Sequence, residues 1–279
     1  MKRLTAAALL LVLAACEKAP VETVSEPPAS GPSEASPIER LSKDGAGQVV
    51  QRGIDYAGGW KEWSSKSSLS FRKTTTKFRE DGTVESTRVQ IHQYVLQPGP
   101  KMRITWEDDG RKIVLINHGW EAWRVADGVV ATDVSEKNGA RNATFGSHYV
   151  VLMPFKLTDR GANLASAGSE TLADGTKVDK VRVTYDKGAG DAGGLHTWTY
   201  MFAGDGRLVA NHLEYEAGKY DYTEYSEETV IDGIRFPMLR TGYHADAKGK
   251  IGKKTSEIRY EDVNFNVPLD PSLFAAPSS

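Results

Sequence analysis

The sequence is poor in the residues that build disulfides, metal sites and catalytic motifs. Of its 279 residues only Cys16 is a cysteine, so no internal disulfide can form and the fold must rest on its apolar core. Basic and acidic residues nearly balance, 35 against 37, which excludes the basic surplus typical of nucleic-acid binding. The six histidines occur singly, without zinc-site spacing. No nucleophile elbow, phosphate loop, dinucleotide fingerprint or calcium loop is present.

The beginning of the chain has the pattern of an export signal. The basic pair Lys2 and Arg3 precedes an apolar run over residues 6–13, and small residues then lead to Cys16. Because this run is too short to span a bilayer as a helix, residues 1–15 are predicted to be a cleaved signal peptide. Small residues before a lone cysteine resemble the lipobox of bacterial lipoproteins, which implies acyl chains on Cys16. Several such chains would anchor the protein stably to a membrane.

The segment over residues 16–37 begins with the lipidated cysteine and continues as a tether. After Cys16 it contains five prolines, four glutamates and no aromatic residue, a composition that predicts disorder. Glu17 stands where an aspartate would favour retention at the inner membrane in enteric bacteria. The expected location is therefore the outer membrane of a Gram-negative envelope, on its periplasmic face. Residues 38–279 are predicted to be a single β-rich domain.

Acidic residues followed by glycine mark the turns of this domain. Such dipeptides favour the positive backbone angles of tight hairpins, so the runs between them are expected to pair as antiparallel strands. Many of these runs alternate apolar and polar side chains, which is typical of strands with one covered face. Twelve strands are predicted, over residues 67–78, 84–96, 101–107, 112–117, 121–125, 129–134, 177–185, 196–202, 208–216, 220–231, 234–243 and 254–265.

A sheet of this size tends to curl, because its edges would otherwise be exposed to aggregation. We therefore predict a mainly β fold: a large curved antiparallel sheet or incomplete β-barrel, closed by one or two helices. Ser36 and Glu39 form the sequence pattern of a capping box, which predicts a helix that ends at Gly58-Gly59. The connection over residues 146–168 has no clear period. It is interpreted either as a lid or plug over a ligand site or as a plain cap on the core.

Several features together resemble one known group of proteins. They are the lone cysteine, the leading helix, the long meander and four segments: GSHY at 146–149, MPFKL at 153–157, IDGIRFP at 231–237 and FNVPLD at 265–270. Over roughly residues 38–274 the chain resembles uncharacterised exported lipoproteins of the LolA/LolB-like superfamily, associated with outer-membrane lipoprotein sorting. This resemblance implies an incomplete barrel closed by helices, with an apolar cavity that accepts acyl chains.

The predicted function is binding of a lipid or an acylated protein in such a cavity, within envelope lipid or lipoprotein handling. Its physical basis is a surplus of aromatic and aliphatic side chains on curved strands, without polar chemistry between them. A packed core is the alternative interpretation for each of these side chains. The residues predicted to line the cavity are Trp106, Trp120, Trp123, Met153, Phe155, Trp198 and Phe202.

Two other functions remain open from the sequence. One is a scaffolding lipoprotein that binds another envelope protein through an edge of the sheet. The other is a hydrolase that uses the carboxylates of Asp221, Glu224, Glu227 and Glu228, which would require two of these groups in one cleft. We expect no enzyme activity, no metal and no cofactor. The expected partners are a membrane and a lipid or lipoprotein ligand, and not nucleic acid.

Overall fold

One curved antiparallel sheet organises the protein. The computed structural model describes residues 36–41, 43, 45–119 and 121–277. Within them, thirteen strands belong to a single sheet. The strands are β1 (Ser68–Phe78), β2 (Val84–Val95), β3 (Lys101–Asp108), β4 (Arg111–His118), β5 (Glu121–Ala126), β6 (Val129–Val130), β7 (Ala162–Thr171), β8 (Lys177–Tyr185), β9 (Thr197–Ala203), β10 (Leu208–Glu216), β11 (Lys219–Ile231), β12 (Ile234–Ala245) and β13 (Ile251–Phe265).

The order of the strands shows how the sheet is built. In space they run β6-β5-β4-β3-β2-β1-β13-β12-β11-β10-β9-β8-β7. The first strand therefore pairs with the last, and two meanders, β1 to β6 and β7 to β13, extend outward from that pair. The outermost strands β6 and β7 do not pair with each other, so the sheet stays open. The predicted fold class, a large curved sheet or incomplete barrel with few helices, is confirmed.

The helices lie against the sheet. They are α1 (Gly45–Tyr56), α2 (Trp60–Ser64) and α3 (Val134–Val151), with short 3-10 helices at Phe155–Thr158 and Pro271–Phe274. α1 packs against β7 and β8, whereas α3 packs against β3, β4 and β5. We call the face of the sheet that these helices cover the inner face. Among the described residues, no helix has the length and apolar character needed to cross a membrane.

The leading helix is shorter than predicted. The capping box forms, because Ser36 Oγ accepts from the Glu39 N–H at 3.3 Å and the Ser36 N–H donates to Glu39 Oε2 at 2.6 Å. It closes only a turn, however, and α1 starts at Gly45, whose φ is +51°. The prediction of one continuous helix from Ser36 is therefore wrong, since glycine interrupts a helix readily. The element ends before Gly58-Gly59 as predicted, and both glycines have positive φ angles.

The sequence pattern does not predict two elements, α3 and β7. The strand predicted over residues 129–134 ends at Val130, and α3 begins at Val134, where the Asp133 side chain accepts a backbone N–H of the first turn at 2.7 Å. The buried positions of α3 include the polar residues Thr144 and His148, which hide the apolar period of a helix. β7 consists mainly of small and polar residues, so it lacks the alternation that marks a strand.

The inner face beneath the helices is filled by the protein's own side chains. Gly53 of α1 lies so close to the sheet that a Cβ there would stand 2.5 Å from the Phe202 ring. The hydroxyl of Tyr149 on α3 meets those of Tyr185 and Tyr200 at 2.9 and 3.2 Å. Paired hydroxyls can be buried without leaving an unsatisfied polar group. This part of the molecule is therefore a packed core.

Candidate functional site

An open groove exists where β2 and β3 separate. Their pairing ends at Ile91 and Thr105. Beyond this point β2 continues to Val84, paired only with β1 on its other side, and β3 continues to Asp108, paired only with β4. The space between the two strands measures about 860 Å³ and is lined by residues of β1 to β4. This volume lies within the range of ligand-binding clefts, roughly 300–1,000 Å³.

Apolar side chains form part of the groove wall. Val89 and Ile91 on β2 are 49% and 44% exposed and line the groove from the outer face, and Trp106 on β3 lines it from the inner face. Isolated exposed apolar residues are ordinary, but a group of them in one groove indicates a binding surface. The indole Nε1 of Trp106 is buried and has no hydrogen-bond partner among the described residues. A buried tryptophan N–H usually has a partner, so this unpaired donor is unusual for a purely structural tryptophan.

A basic side chain bridges the groove. The guanidinium of Arg88 on β2 stands 5.5 Å from the ring centroid of Trp106 on β3, and its Nη2 lies 3.5 Å from Asp108 Oδ1. Both members of the ion pair are well exposed, and such pairs contribute little, roughly 0–1 kcal/mol. The bridge between the two walls is therefore weak, and it can open without a large energetic penalty.

Lys73 is a partly buried cation on the inner face beside this bridge. It stands two residues after Phe71 on β1, so both side chains point to the core side of the sheet. Burial, together with the positive charges of Arg240 and Arg88, lowers the pKa of Lys73 to about 8. Among the described residues no carboxylate forms an ion pair with Lys73. The fold thus holds a lysine where its charge is poorly stabilised.

Replacing Lys73 by methionine is expected to stabilise the protein at neutral pH. Because the pKa of Lys73 is lower in the folded protein than in the unfolded chain, its charge destabilises the fold fully below pH 8. We expect Lys73→Met to raise the free energy of unfolding by about 1 kcal/mol at pH 7. The gain should shrink as the pH rises through 8 towards 10.5. Urea unfolding at pH 7 and pH 10, with the exposed Lys61→Met as control, measures this difference. A less stable Lys73→Met variant at pH 7 would contradict it.

Arg240 on β12 is a second cation of the inner face. Its side chain is only 6% exposed, and its Nη1 donates to Tyr260 Oη at 3.3 Å. The guanidinium also stands 5.2 Å from the ring centroid of Tyr225. Its Nε has no hydrogen-bond partner among the described residues, and no carboxylate there forms an ion pair with it. A buried charge is normally paired, so this arrangement is unusual for a purely structural arginine.

A neutral histidine connects this region to α3. The His92 ring is fully buried, stacks on Phe71 at 4.7 Å and places Nδ1 2.7 Å from Tyr94 Oη. Tyr94 Oη in turn donates to Ser147 Oγ of α3 at 3.0 Å. Burial lowers the pKa of His92 well below its usual value, and the nearby charge of Lys73 adds to this effect. His92 therefore stays neutral at physiological pH and adds no charge to the groove.

Solved structures with similar folds place this sheet among known architectures. A DUF1329 family protein from Desulfovibrio piger matches with a TM-score of 0.55 and 14% identity, covering 81% of this chain and 97% of that one. A LolA superfamily protein from Nitrosomonas europaea matches with a TM-score of 0.52 and 13% identity, covering 84% and 99%. The fold is LolA-like. A putative outer membrane lipoprotein-sorting protein domain from Vibrio parahaemolyticus matches with a TM-score of 0.51 and 12% identity, covering 81% and 94%. No protein-family model and no curated protein matches the sequence.

Four of the predicted lining residues lie together in the packed core of the LolA-like sheet. Met153, Phe155, Trp198 and Phe202 are all buried there. Phe155 stacks on Trp63 at 4.5 Å, and Trp198 stacks on a core tyrosine. The hollow beside Met153 offers only about 20 Å³, room for about one water molecule and far below the roughly 300 Å³ at which ligand pockets begin. It is too small for an acyl chain, because the helices fill the inner face at this point.

The remaining predicted residues are dispersed. Trp106 lines the groove between β2 and β3, whereas Trp123 lines a separate hollow of about 250 Å³ beside α3. Trp120 and Cys16 lie outside the described residues. The structure therefore does not bring the predicted set into one cavity. The sequence prediction missed the cations Lys73 and Arg88. The sequence pattern that could have revealed them is a basic residue an even number of positions from buried residues of the same strand, which puts it on their face.

The acidic residues of β11 do not meet in one cleft. Asp221 and Glu224 are three positions apart, so they point to opposite faces of the strand. Each carboxylate also has a partner of its own: His244 for Asp221, Tyr243 for Glu224, Arg259 for Glu227 and Tyr56 for Glu228. This arrangement does not provide the paired carboxylates of a glycosidase. In the part of the chain that the structure describes, no group of three or more metal-ligating side chains occurs.

Proposed function

We propose that this protein is a lipid-anchored envelope protein that binds a lipid or an acylated protein in the groove between β2 and β3. The observation that carries this proposal is the groove itself, with about 860 Å³ of space and the apolar side chains of Val89, Ile91 and Trp106 in its lining. The LolA-like fold supports it, because one protein of similar fold is a putative outer membrane lipoprotein-sorting protein domain. The groove replaces the packed inner face as the proposed ligand site.

The groove suits an acyl chain for two physical reasons. It is a long opening between two strands, and each methylene group that leaves water there contributes roughly 0.8 kcal/mol. Arg88 bridges its walls through a weak, exposed ion pair with Asp108 and a contact with the Trp106 ring, so a chain can enter from the exposed side. A lipid would cover Val89 and Ile91, which otherwise remain exposed to water.

The anchoring part of the proposal is based on the amino-terminal sequence. A basic start, a short apolar run and small residues before Cys16 together favour export, cleavage and lipidation. Acyl chains on Cys16 would hold the protein at the outer membrane, on the periplasmic face. A groove that binds lipid then operates next to a source of lipid.

Removal of the anchor separates the two parts of this proposal. We expect the wild-type protein to fractionate with membranes and a Cys16→Ser variant to be soluble, because the variant lacks the acylated thiol. Lipid extracted from the purified Cys16→Ser variant then comes from a bound ligand and not from the anchor. Mass spectrometry of that extract is expected to find lipid in near-stoichiometric amount.

A matched pair of substitutions tests whether the groove holds this lipid. In the Cys16→Ser background, Val89→Asp places a charge in the groove and is expected to lower the lipid content about fivefold. Val230→Asp changes an exposed strand valine of similar exposure that does not line the groove, so it should leave the content unchanged. Equal lipid content in both variants, or no lipid in the parent protein, would refute the proposed site.

A further inference from the structure

The groove has a basic inner side that the proposed function does not by itself require. Arg88 on β2 pairs with Thr75 on β1, Thr75 pairs with Ile258 on β13, and Ile258 pairs with Arg240 on β12. Residues directly opposite each other in neighbouring strands point to the same face. Arg88 and Arg240 therefore lie in one row across the inner face. Lys73 is two residues from Thr75 on β1, so it points to the same face next to that row.

These cations are close enough to interact. Three strand intervals separate the backbones of Arg88 and Arg240, which is on the order of 15 Å, and both side chains are long. Lys73 lies between them, and the charges of Arg240 and Arg88 both act on its ammonium group. The side chains thus form a cluster of three positive charges on the inner face, in which Lys73 and Arg88 line the groove beside Trp106 and Arg240 is buried.

The negative charge around this cluster does not balance it. In the described part of the chain, the carboxylate of Asp108 is the one that reaches the cluster, and it contacts Arg88 alone, at 3.5 Å. Arg240 has tyrosine neighbours, and its Nε is buried without an acceptor. The indole N–H of Trp106, beside Arg88, is a second buried donor without an acceptor. The site therefore offers positive charge and unused donors but few acceptors.

We propose that Lys73 and Arg88, with the buried charge of Arg240 beside them, bind the anionic oxygen group, a phosphate or a carboxylate, of an amphiphilic ligand whose apolar part lies in the groove. This inference rests on the proposed function and narrows the ligand class to anionic lipids. An anion supplies the acceptors that the buried donors lack, and it relieves the repulsion among the three cations. A neutral lipid would leave the buried donors without acceptors and the three cations without a negative charge between them.

Calorimetric titration of the Cys16→Ser protein with matched probes tests this inference. Decanoate and decanol share a chain length and differ in charge, and inorganic phosphate presents an anion without a chain. We expect decanoate to bind about tenfold more tightly than decanol. Lys73→Gln and Arg88→Gln should each remove most of this difference, because each weakens decanoate binding more than decanol binding. Lys61→Gln, which removes an exposed lysine of α2 outside the groove, should preserve the difference.

The possible outcomes separate the two proposals. Equal binding of decanoate and decanol, unaffected by Lys73→Gln, would overturn the anionic ligand and leave lipid binding intact. Binding of inorganic phosphate as tight as that of decanoate would show that the ligand is a free anion and not an amphiphile. Failure of both decanoate and decanol to bind would overturn the proposed function as well.

Discussion

Replacing Phe202 by alanine is expected to lower the free energy of unfolding by about 3–5 kcal/mol. Phe202 on β9 is fully buried, and its ring lies directly against Gly53 of α1. Its truncation would leave a cavity between helix and sheet that the neighbouring backbone cannot close. Urea denaturation of the wild-type and Phe202→Ala proteins gives the difference.

Two further substitutions show whether Phe202 belongs to the core or to a ligand cavity. Phe202→Leu keeps most of the side-chain volume and should lower stability by less than about 1.5 kcal/mol. Trp106→Ala, in the groove, should weaken amphiphile binding with a smaller loss of stability than Phe202→Ala. If Phe202→Ala cost less than about 1 kcal/mol and instead weakened ligand binding, Phe202 would belong to a ligand cavity and not to a packed core.

Replacing Gly206 by alanine is expected to destabilise the protein by at least about 2 kcal/mol. Gly206 lies in the turn between β9 and β10, where its φ of +97° is unfavourable for any residue with a Cβ. A Cβ at this position would also stand 2.4 Å from the Arg52 carbonyl oxygen and 3.1 Å from the Tyr56 Cβ, both on α1. The substitution therefore strains the turn and pushes α1 away from the sheet. Thermal unfolding measures the loss.

The same turn contains its own control. A Cβ on Gly204 would have no heavy atom within 4 Å, and the backbone of Gly204 is not left-handed, so Gly204→Ala should be nearly neutral. A similar loss of stability in both variants would mean that a side chain anywhere in this turn destabilises the protein. The close approach of α1 to Gly206 would then not be the cause.

Local patterns in the sequence predict most of the sheet. The bounds of β8 (Lys177–Tyr185) and β10 (Leu208–Glu216) agree with prediction, because apolar alternation and flanking glycine turns act within a few residues. β7 and α3 escape prediction, because β7 is built from small and polar residues and α3 buries polar side chains such as Thr144. Thr144 can be buried because it accepts a hydrogen bond from Asn117 of β4, a partner that local sequence does not reveal.

The candidate site depends on contacts between segments that are distant in the chain. The sequence identifies Trp106 as an apolar residue in a strand, but it gives no sign that β2 and β3 separate beyond Ile91. Nor does it indicate that Lys73 and Arg240, 167 positions apart by their numbers, stand on the same inner face. Strand register across β1, β13 and β12 brings them together, and register is a property of the whole sheet.

The sequence by itself determined the mainly β fold and most of its strands, because side-chain alternation and turn chemistry are local properties. It also motivates the proposal of an acylated Cys16, which the described residues do not include. Only the tertiary structure decided which aromatic residues fill the core and which line a groove. The reason is physical: whether a side chain is packed or exposed depends on what the helices cover, and α1 and α3 cover the inner face at β9 but leave the separated ends of β2 and β3 open.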